Sequence, residues 1–236
     1  MTGWILWIFS LGTGLPAAAA TGADPPDRVP IPGLNLMQEN GAPAPEQAAG
    51  PAAPSFFMAR FEVTNVLYER FDPAHRRSGL SGCDACPVTR ITWPEANAFC
   101  RGQGGRLPTV EEWETAARGP QGHVYSFGMA ADPGRGRFNQ EFRAGAAAVD
   151  SLPPNGYGLF HMSGNVWEWV ADGPRPAVTK PKFSARRARP RGSKTVVGGS
   201  WYSPAYYLQV GRRFALHAAA RLNSLGFRCA WDPKPR

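Results

Sequence analysis

The sequence predicts an α+β fold with little regular secondary structure, packed as a single domain. Three observations carry that prediction. Helix signals cluster between Thr64 and Gly119, two introduced by a capping threonine and one by a proline at its first position. Beyond Gly119 the periodicity gives way to Gly, Pro, Asn and aromatic residues with only strand-sized apolar pieces. Eight Trp and thirteen Phe offer the apolar area that a loop-rich body needs. At 236 residues the chain suits one core better than two.

Residues 1–20 read as a secretory signal. No charged side chain precedes Asp24, Trp4 to Leu15 is apolar, and Ala17 to Ala20 form a small-residue exit. A membrane anchor needs about 20 apolar residues, and Gly12, Gly14 and Pro16 interrupt this stretch too early. Residues 21–55, rich in Pro, Ala and Gly, read as a linker, with an edge strand possible over 29–37. The packed domain is placed at 56–236.

Within it, Phe56–Val63 reads as a strand, and Thr64 caps a helix over Asn65–Phe71. Thr89–Trp93 reads as a strand leading into a helix that Pro94 opens, with Ala96, Phe99 and Cys100 on one face and Gly102 to Gly105 ending it. Thr109-Val-Glu-Glu112 is a capping box; Val110, Trp113, Ala116 and Ala117 form the buried stripe, and Gly119 closes the helix. Val166–Val170, Thr195–Val197 and Gly226–Ala230 are the later strand-sized pieces.

The net charge of +8 is unevenly spread. Residues 173–231 carry twelve basic and no acidic side chains, so a catalytic carboxylate in that quarter is excluded. Arg186, Arg187, Arg189 and Arg191 lie in a Pro-flanked basic run without apolar period, read either as a solvated loop or as a contact for an acidic protein or an anionic envelope component. Nucleic acid suits an exported protein poorly, although such clusters bind it readily.

Four cysteines, Cys83, Cys86, Cys100 and Cys229, suggest two disulfides in an exported chain, with three possible connectivities. Cys83-Asp-Ala-Cys86 has the redox spacing, but Gly79, Gly82 and Pro87 place it in a loop, which favours a structural bridge over redox or zinc. The four histidines are scattered without a ligand spacing. No nucleophile elbow, phosphate loop or dinucleotide fingerprint is present.

Seven strings in order resemble the sulfatase-modifying-factor family of formylglycine-generating enzymes. They are Arg60-Phe-Glu-Val-Thr-Asn65, Pro87-Val-Thr-Arg-Ile-Thr-Trp93, Gly105-Arg-Leu-Pro-Thr-Val-Glu-Glu-Trp-Glu114, Pro153-Pro-Asn-Gly-Tyr-Gly-Leu-Phe160, Gly164-Asn-Val-Trp-Glu-Trp169, Gly198-Gly-Ser-Trp201 and Gly226-Phe-Arg-Cys229. The resemblance implies the family's variant of the C-type-lectin fold and a bridge between Cys100 and Cys229. It also implies oxidation of a substrate cysteine to formylglycine by dioxygen, with copper(I) held on two thiolates at the positions of Ser203 and Leu208. Neither is a cysteine, so copper is not expected and the formylglycine reaction is improbable. One family calcium site maps to His161, the carbonyls of Gly164 and Val166, and Glu168; an imidazole is a poor stand-in for an oxygen ligand. A second begins at Asn139, where the following segment is shortened to Arg143-Ala-Gly-Ala-Ala147 and brings no Asp. The substrate groove implied by the family is lined by Trp201, Tyr202, Ser203, Tyr206, Tyr207, Leu208 and Arg213. These readings describe a periplasmic or secreted protein that binds a peptide or protein partner or assists its maturation. The alternatives are a periplasmic oxidoreductase acting on a peptide or siderophore precursor, and a structural subunit of an envelope complex.

Overall fold

Three threonines open the three helices by the same chemistry. Thr64 Oγ1 accepts from Leu67 N at the start of α1 (Asn65–Phe71). Thr92 and Glu95 form a reciprocal capping box on α2 (Trp93–Gly102), and Thr109 and Glu112 form another on α3 (Val110–Arg118). Each box satisfies two backbone donors that the first helical turn leaves free. The computed structural model describes residues 27–32, 54–173 and 192–233. The expected signal segment, most of the linker and the arginines at 186, 187, 189 and 191 lie outside the described residues.

The strands form two sheets. One is antiparallel and three-stranded, in the order β1 (Arg28–Pro32), β2 (Pro54–Ala59), β7 (Ala230–Trp231). The other runs β5 (Arg213–His217), β4 (Ser193–Val197), β3 (Trp167–Trp169), β6 (Leu225–Phe227), with β3 and β6 parallel. Val29 and Ile31 are buried with Met58 and Trp113 in one core cluster, so β1 is packed with the rest of the structure. A second cluster gathers Tyr68, Phe99, Trp169 and Phe227 around the Cys100–Cys229 disulfide, and a smaller third joins Tyr125, Phe127, Phe138 and Leu208.

Several elements differ from the sequence reading. β2 ends at Ala59, four residues before the expected strand end, because Arg60 leaves the sheet to bind Asp27 and Gly158 O. Thr89–Trp93 is no strand: Arg90 has φ of 61°, a left-handed conformation that cannot continue an extended run. The stretch expected as one strand over 226–230 is divided. β6 ends at Phe227, and the chain crosses to the other sheet through Arg228 and Cys229 before β7 begins. β5 has no counterpart in the sequence reading, since its residues are mostly exposed and show no alternating burial.

Both cysteine pairs are bridged, Cys100 with Cys229 and Cys83 with Cys86. The first spans 129 residues and the second only three. Chain entropy therefore predicts unequal effects: replacing Cys100 and Cys229 by Ala is expected to cost about 5 kcal/mol, against about 2 kcal/mol for Cys83 and Cys86. Urea unfolding of the two double variants checks the difference.

Candidate functional site

A buried charged centre underlies the candidate site. Glu168, on β3, and Arg228, between β6 and β7, are 1% and 0% exposed. Arg228 Nη2 donates to Glu168 Oε1 at 2.7 Å and its Nε to Oε2 at 2.8 Å, a fork-to-carboxylate pairing. Trp113 Nε1 adds a third donor to Glu168 Oε2 at 2.8 Å. The remaining guanidinium N–H groups donate to the carbonyls of Ala59, Arg60 and Phe160. Glu62 lies beside this pair and accepts from Asn165 Nδ2 at 2.7 Å and Val166 N at 3.3 Å. Burial, and then the Glu168 charge, hold its carboxyl well above the usual carboxylate range. Glu62 and Arg228 went unrecognised as a unit in the sequence, although Arg228 is a lone charge in the apolar string Leu225–Trp231, the signature of a partnered buried ion.

The expected calcium set does not fit the ion as these residues are arranged. Both oxygens of Glu168 are taken by a guanidinium and an indole N–H. His161 turns elsewhere: its Nε2 lies 3.2 Å from Ala148 O and 3.3 Å from Ser151 Oγ. Burial and the Arg228 charge push the imidazole down to about 4, which keeps it neutral. That leaves the carbonyls of Gly164 and Val166, against the six to eight oxygens calcium takes. At Asn139 the backbone N donates to Ser203 O, and residues 143–147 carry no carboxylate. Among the described residues no three His, Cys, Asp or Glu side chains converge to hold a metal ion.

The expected groove residues separate into a floor and an exposed face. Trp201, Ser203 and Leu208 are buried. Trp201 Nε1 donates to Phe142 O at 3.0 Å, and Ser203 Oγ accepts from Ser200 N at 3.1 Å. Leu208 packs in the cluster of Tyr125, Phe127 and Phe138. It sits so close to Gly199 that a Cβ there would lie 2.7 Å from Leu208 Cδ1, and φ of 79° further restricts that position to glycine. A hydroxyl and an alkyl group in this packing do not fit copper(I), which selects soft thiolate ligands.

Above the floor runs a row of exposed and half-buried aromatic rings. Phe142 meets Tyr202 at 5.2 Å between centroids, and Tyr202 Oη reaches Ser224 Oγ at 3.3 Å. Ser224 O accepts from Trp167 N, and Trp167 meets Phe214 edge-on at 5.1 Å. Phe214 contacts Tyr207 at 5.3 Å, Tyr207 contacts Tyr206 at 5.5 Å, and Arg212 stacks over the Tyr206 ring at 3.9 Å. Phe142, Tyr202, Tyr206 and Phe214 are all exposed. Arg213 points away to Glu114 of α3, so its charge is neutralised and it does not join the row. Phe142, Trp167 and Phe214 were absent from the sequence-derived set because they come from segments 25 to 72 residues apart along the chain.

Comparison with known proteins places the chain among relatives of this architecture. The profile of the sulfatase-modifying factor enzyme 1-like domain matches residues 14–233. The inactive Cα-formylglycine-generating enzyme 2 of Mus musculus is 35% identical over 175 residues, covering 67% of this chain and 53% of that protein. The formylglycine-generating enzyme of Streptomyces coelicolor is 34% identical over 179 residues, covering 68% of this chain and 57% of that protein. The chain thus spans about half the length of these curated relatives. Treponema denticola variable protein 1 shares the fold, with a TM-score of 0.66 at 23% identity over 75% of this chain and 84% of that one. PvdO from Pseudomonas aeruginosa shares it with a TM-score of 0.60 at 18% identity, over 88% and 91% of the two chains. The fold is the C-type-lectin-like form that the seven strings implied.

Two outcomes follow from the buried centre. Arg228→Met leaves Glu168 buried without its cation and is expected to cost about 3–5 kcal/mol in chemical denaturation. The folded pKa of His161 lies below its ordinary value of 6.5, so the stability it contributes is complete above that pH and is lost as the pH falls through about 4. The loss is expected to reach roughly 3 kcal/mol, and His161→Gln is expected to flatten that limb of the stability–pH curve.

Proposed function

Because the chain belongs to the family of sulfatase-modifying factor enzyme 1-like domains, yet carries Ser203 and Leu208 where the copper thiolates would stand, we propose that it is a divergent member that binds a peptide or protein partner without formylglycine-generating chemistry. The observation that carries this reading is the exposed aromatic row on a floor of buried side chains. Large, rigid aromatic rings beside an arginine supply contact area at low entropic cost, the composition of binding hot spots. A relative of similar sequence is itself named as inactive, which accords with retention of the fold without the oxidase.

The partner is a peptide segment with apolar side chains for the rings of Tyr206 and Phe214 and an acidic group for Arg212. Assistance in the maturation of that partner is part of the same reading. The two disulfides support an oxidising compartment, periplasmic or extracellular, as the site of action. No helix among the described residues is long and apolar enough to cross a membrane. Calcium has no role in the reading.

Selection from a peptide library on the purified protein tests it. Tyr206→Ala with Phe214→Ala is expected to weaken a selected peptide by about 30-fold or more while leaving thermal unfolding unchanged. Titration against a copper(I) chelator, and oxygen uptake with cysteine-containing peptides, are expected to show neither stoichiometric copper nor formylglycine. Oxidation of a substrate cysteine with bound copper would overturn the proposal; peptide capture unaffected by both substitutions would move binding off this face.

A further inference from the structure

The Cys83–Cys86 bridge has a setting unlike that of Cys100–Cys229. Cys100 and Cys229 are 0% exposed and packed among Phe99 and Phe227, out of reach of any thiol. In the other bridge Cys83 is an exposed residue while Cys86 is only 6% exposed, so the two halves of the bridge differ in access from solvent. Gly82, Asp84 and Ala85 are exposed as well. A side chain built on Gly79 would meet nothing within 4 Å, and one on Gly82 only Ser78 O at 3.7 Å. An approaching cysteine therefore has room at the loop.

The bridge also has little to hold together. A disulfide that spans three residues restricts the unfolded chain far less than one that spans 129. Hydrogen bonds fix the loop independently of it. Asn65 Nδ2 donates to Ser81 O at 2.7 Å and Cys83 O at 2.8 Å. Asn65 N donates to Cys86 O, Val66 N to Asp84 O, Val149 N to Ala85 O, and Ser81 Oγ to Pro87 O. The loop can keep its place on α1 and on the 146–149 segment with the bridge open. Ala146 O lies 4.0 Å from Cys86 Sγ, positioned to accept from the thiol that opening would create.

We propose that Cys83–Cys86 is a thiol–disulfide exchange site at which an external thiol reductant attacks Cys83. The incoming thiolate bonds to Cys83 Sγ, the bond to Cys86 Sγ breaks, and its electron pair leaves on Cys86, which takes a proton from water. A second thiolate then attacks the sulfur of the reductant in the mixed disulfide, and Cys83 leaves as a thiolate and is protonated. Two electrons and two protons pass to this chain, and the reductant leaves as a disulfide. Exposed bridges are the labile ones in such exchange, whereas buried ones resist it. This site is separate from the aromatic row, and its test is independent of peptide binding.

The test equilibrates the full oxidised chain in glutathione buffers of stepped reducing strength, alkylates free thiols and locates them by peptide mass spectrometry. Cys83 and Cys86 are expected to be alkylated in buffers that leave Cys100 and Cys229 bridged, with the near-ultraviolet circular dichroism of the folded protein retained. Reduced Cys86→Ala is expected to take up one glutathione at Cys83 from glutathione disulfide at least tenfold faster than Cys83→Ala does at Cys86. Opening of both bridges together, opening only on unfolding, or equal uptake by the two variants would overturn the proposal.

Discussion

The pairing of Glu168 with Arg228 is the constraint to which most of the architecture answers. Two unit charges in a dry interior are costly unless each finds its opposite and every remaining donor an acceptor. Here one guanidinium reaches a carboxylate on β3 and the carbonyls of Ala59, at the end of β2, Arg60 and Phe160. The carboxylate in turn receives the indole of Trp113 from α3. A single buried ion pair thereby ties both sheets to the third helix, at the point where the chain passes from β6 to β7. The regular elements are too short to lock one another by ladders alone: β7 has two residues and β3 and β6 three each. A polar centre with one satisfying geometry supplies the uniqueness that long ladders would otherwise give.

The aromatic face is a consequence of the same centre. Asn165, which donates to Glu62 beside the ion pair, also offers its backbone carbonyl to Trp201 N at 2.8 Å. Trp201 then carries Phe142 through its indole N–H, and Tyr202 follows it in the chain onto the surface. Trp167 and Phe214 belong to β3 and β5, on either side of β4. The exposed rings are therefore held by strands and by a buried floor, which lowers the ordering cost of engaging a partner. Leu208 and Ser203 belong to that floor, and the packing that accommodates them is what excludes soft-metal chemistry at those positions.

Much of this was legible residue by residue. Thr64 and Thr109 announced two helices, and Val110, Trp113, Ala116 and Ala117 formed the buried stripe that their spacing required. The capping box of Thr92 and Glu95 was equally open to reading and was obscured by the apparent strand before it. That strand failed because one residue, Arg90, is left-handed, a property that β-branched neighbours do not reveal. β5 escaped notice because an edge strand exposed on both faces has no period in its hydrophobicity.

What the amino-acid sequence determined by itself was the family, the α+β class and the lack of a thiolate pair, since these depend on residue identity in local strings. The tertiary structure decided which residues share a site. It turned Glu168 from a candidate metal ligand into half of an ion pair, sent Arg213 to Glu114 and joined Phe142, Trp167 and Phe214 to the tyrosines. It also distinguished an exposed disulfide from a buried one, although both are cysteine pairs in the sequence. The physical reason is common to all of these: burial and partnership are properties of distance through space, and spacing along the chain carries them only within a helix turn or a strand pair.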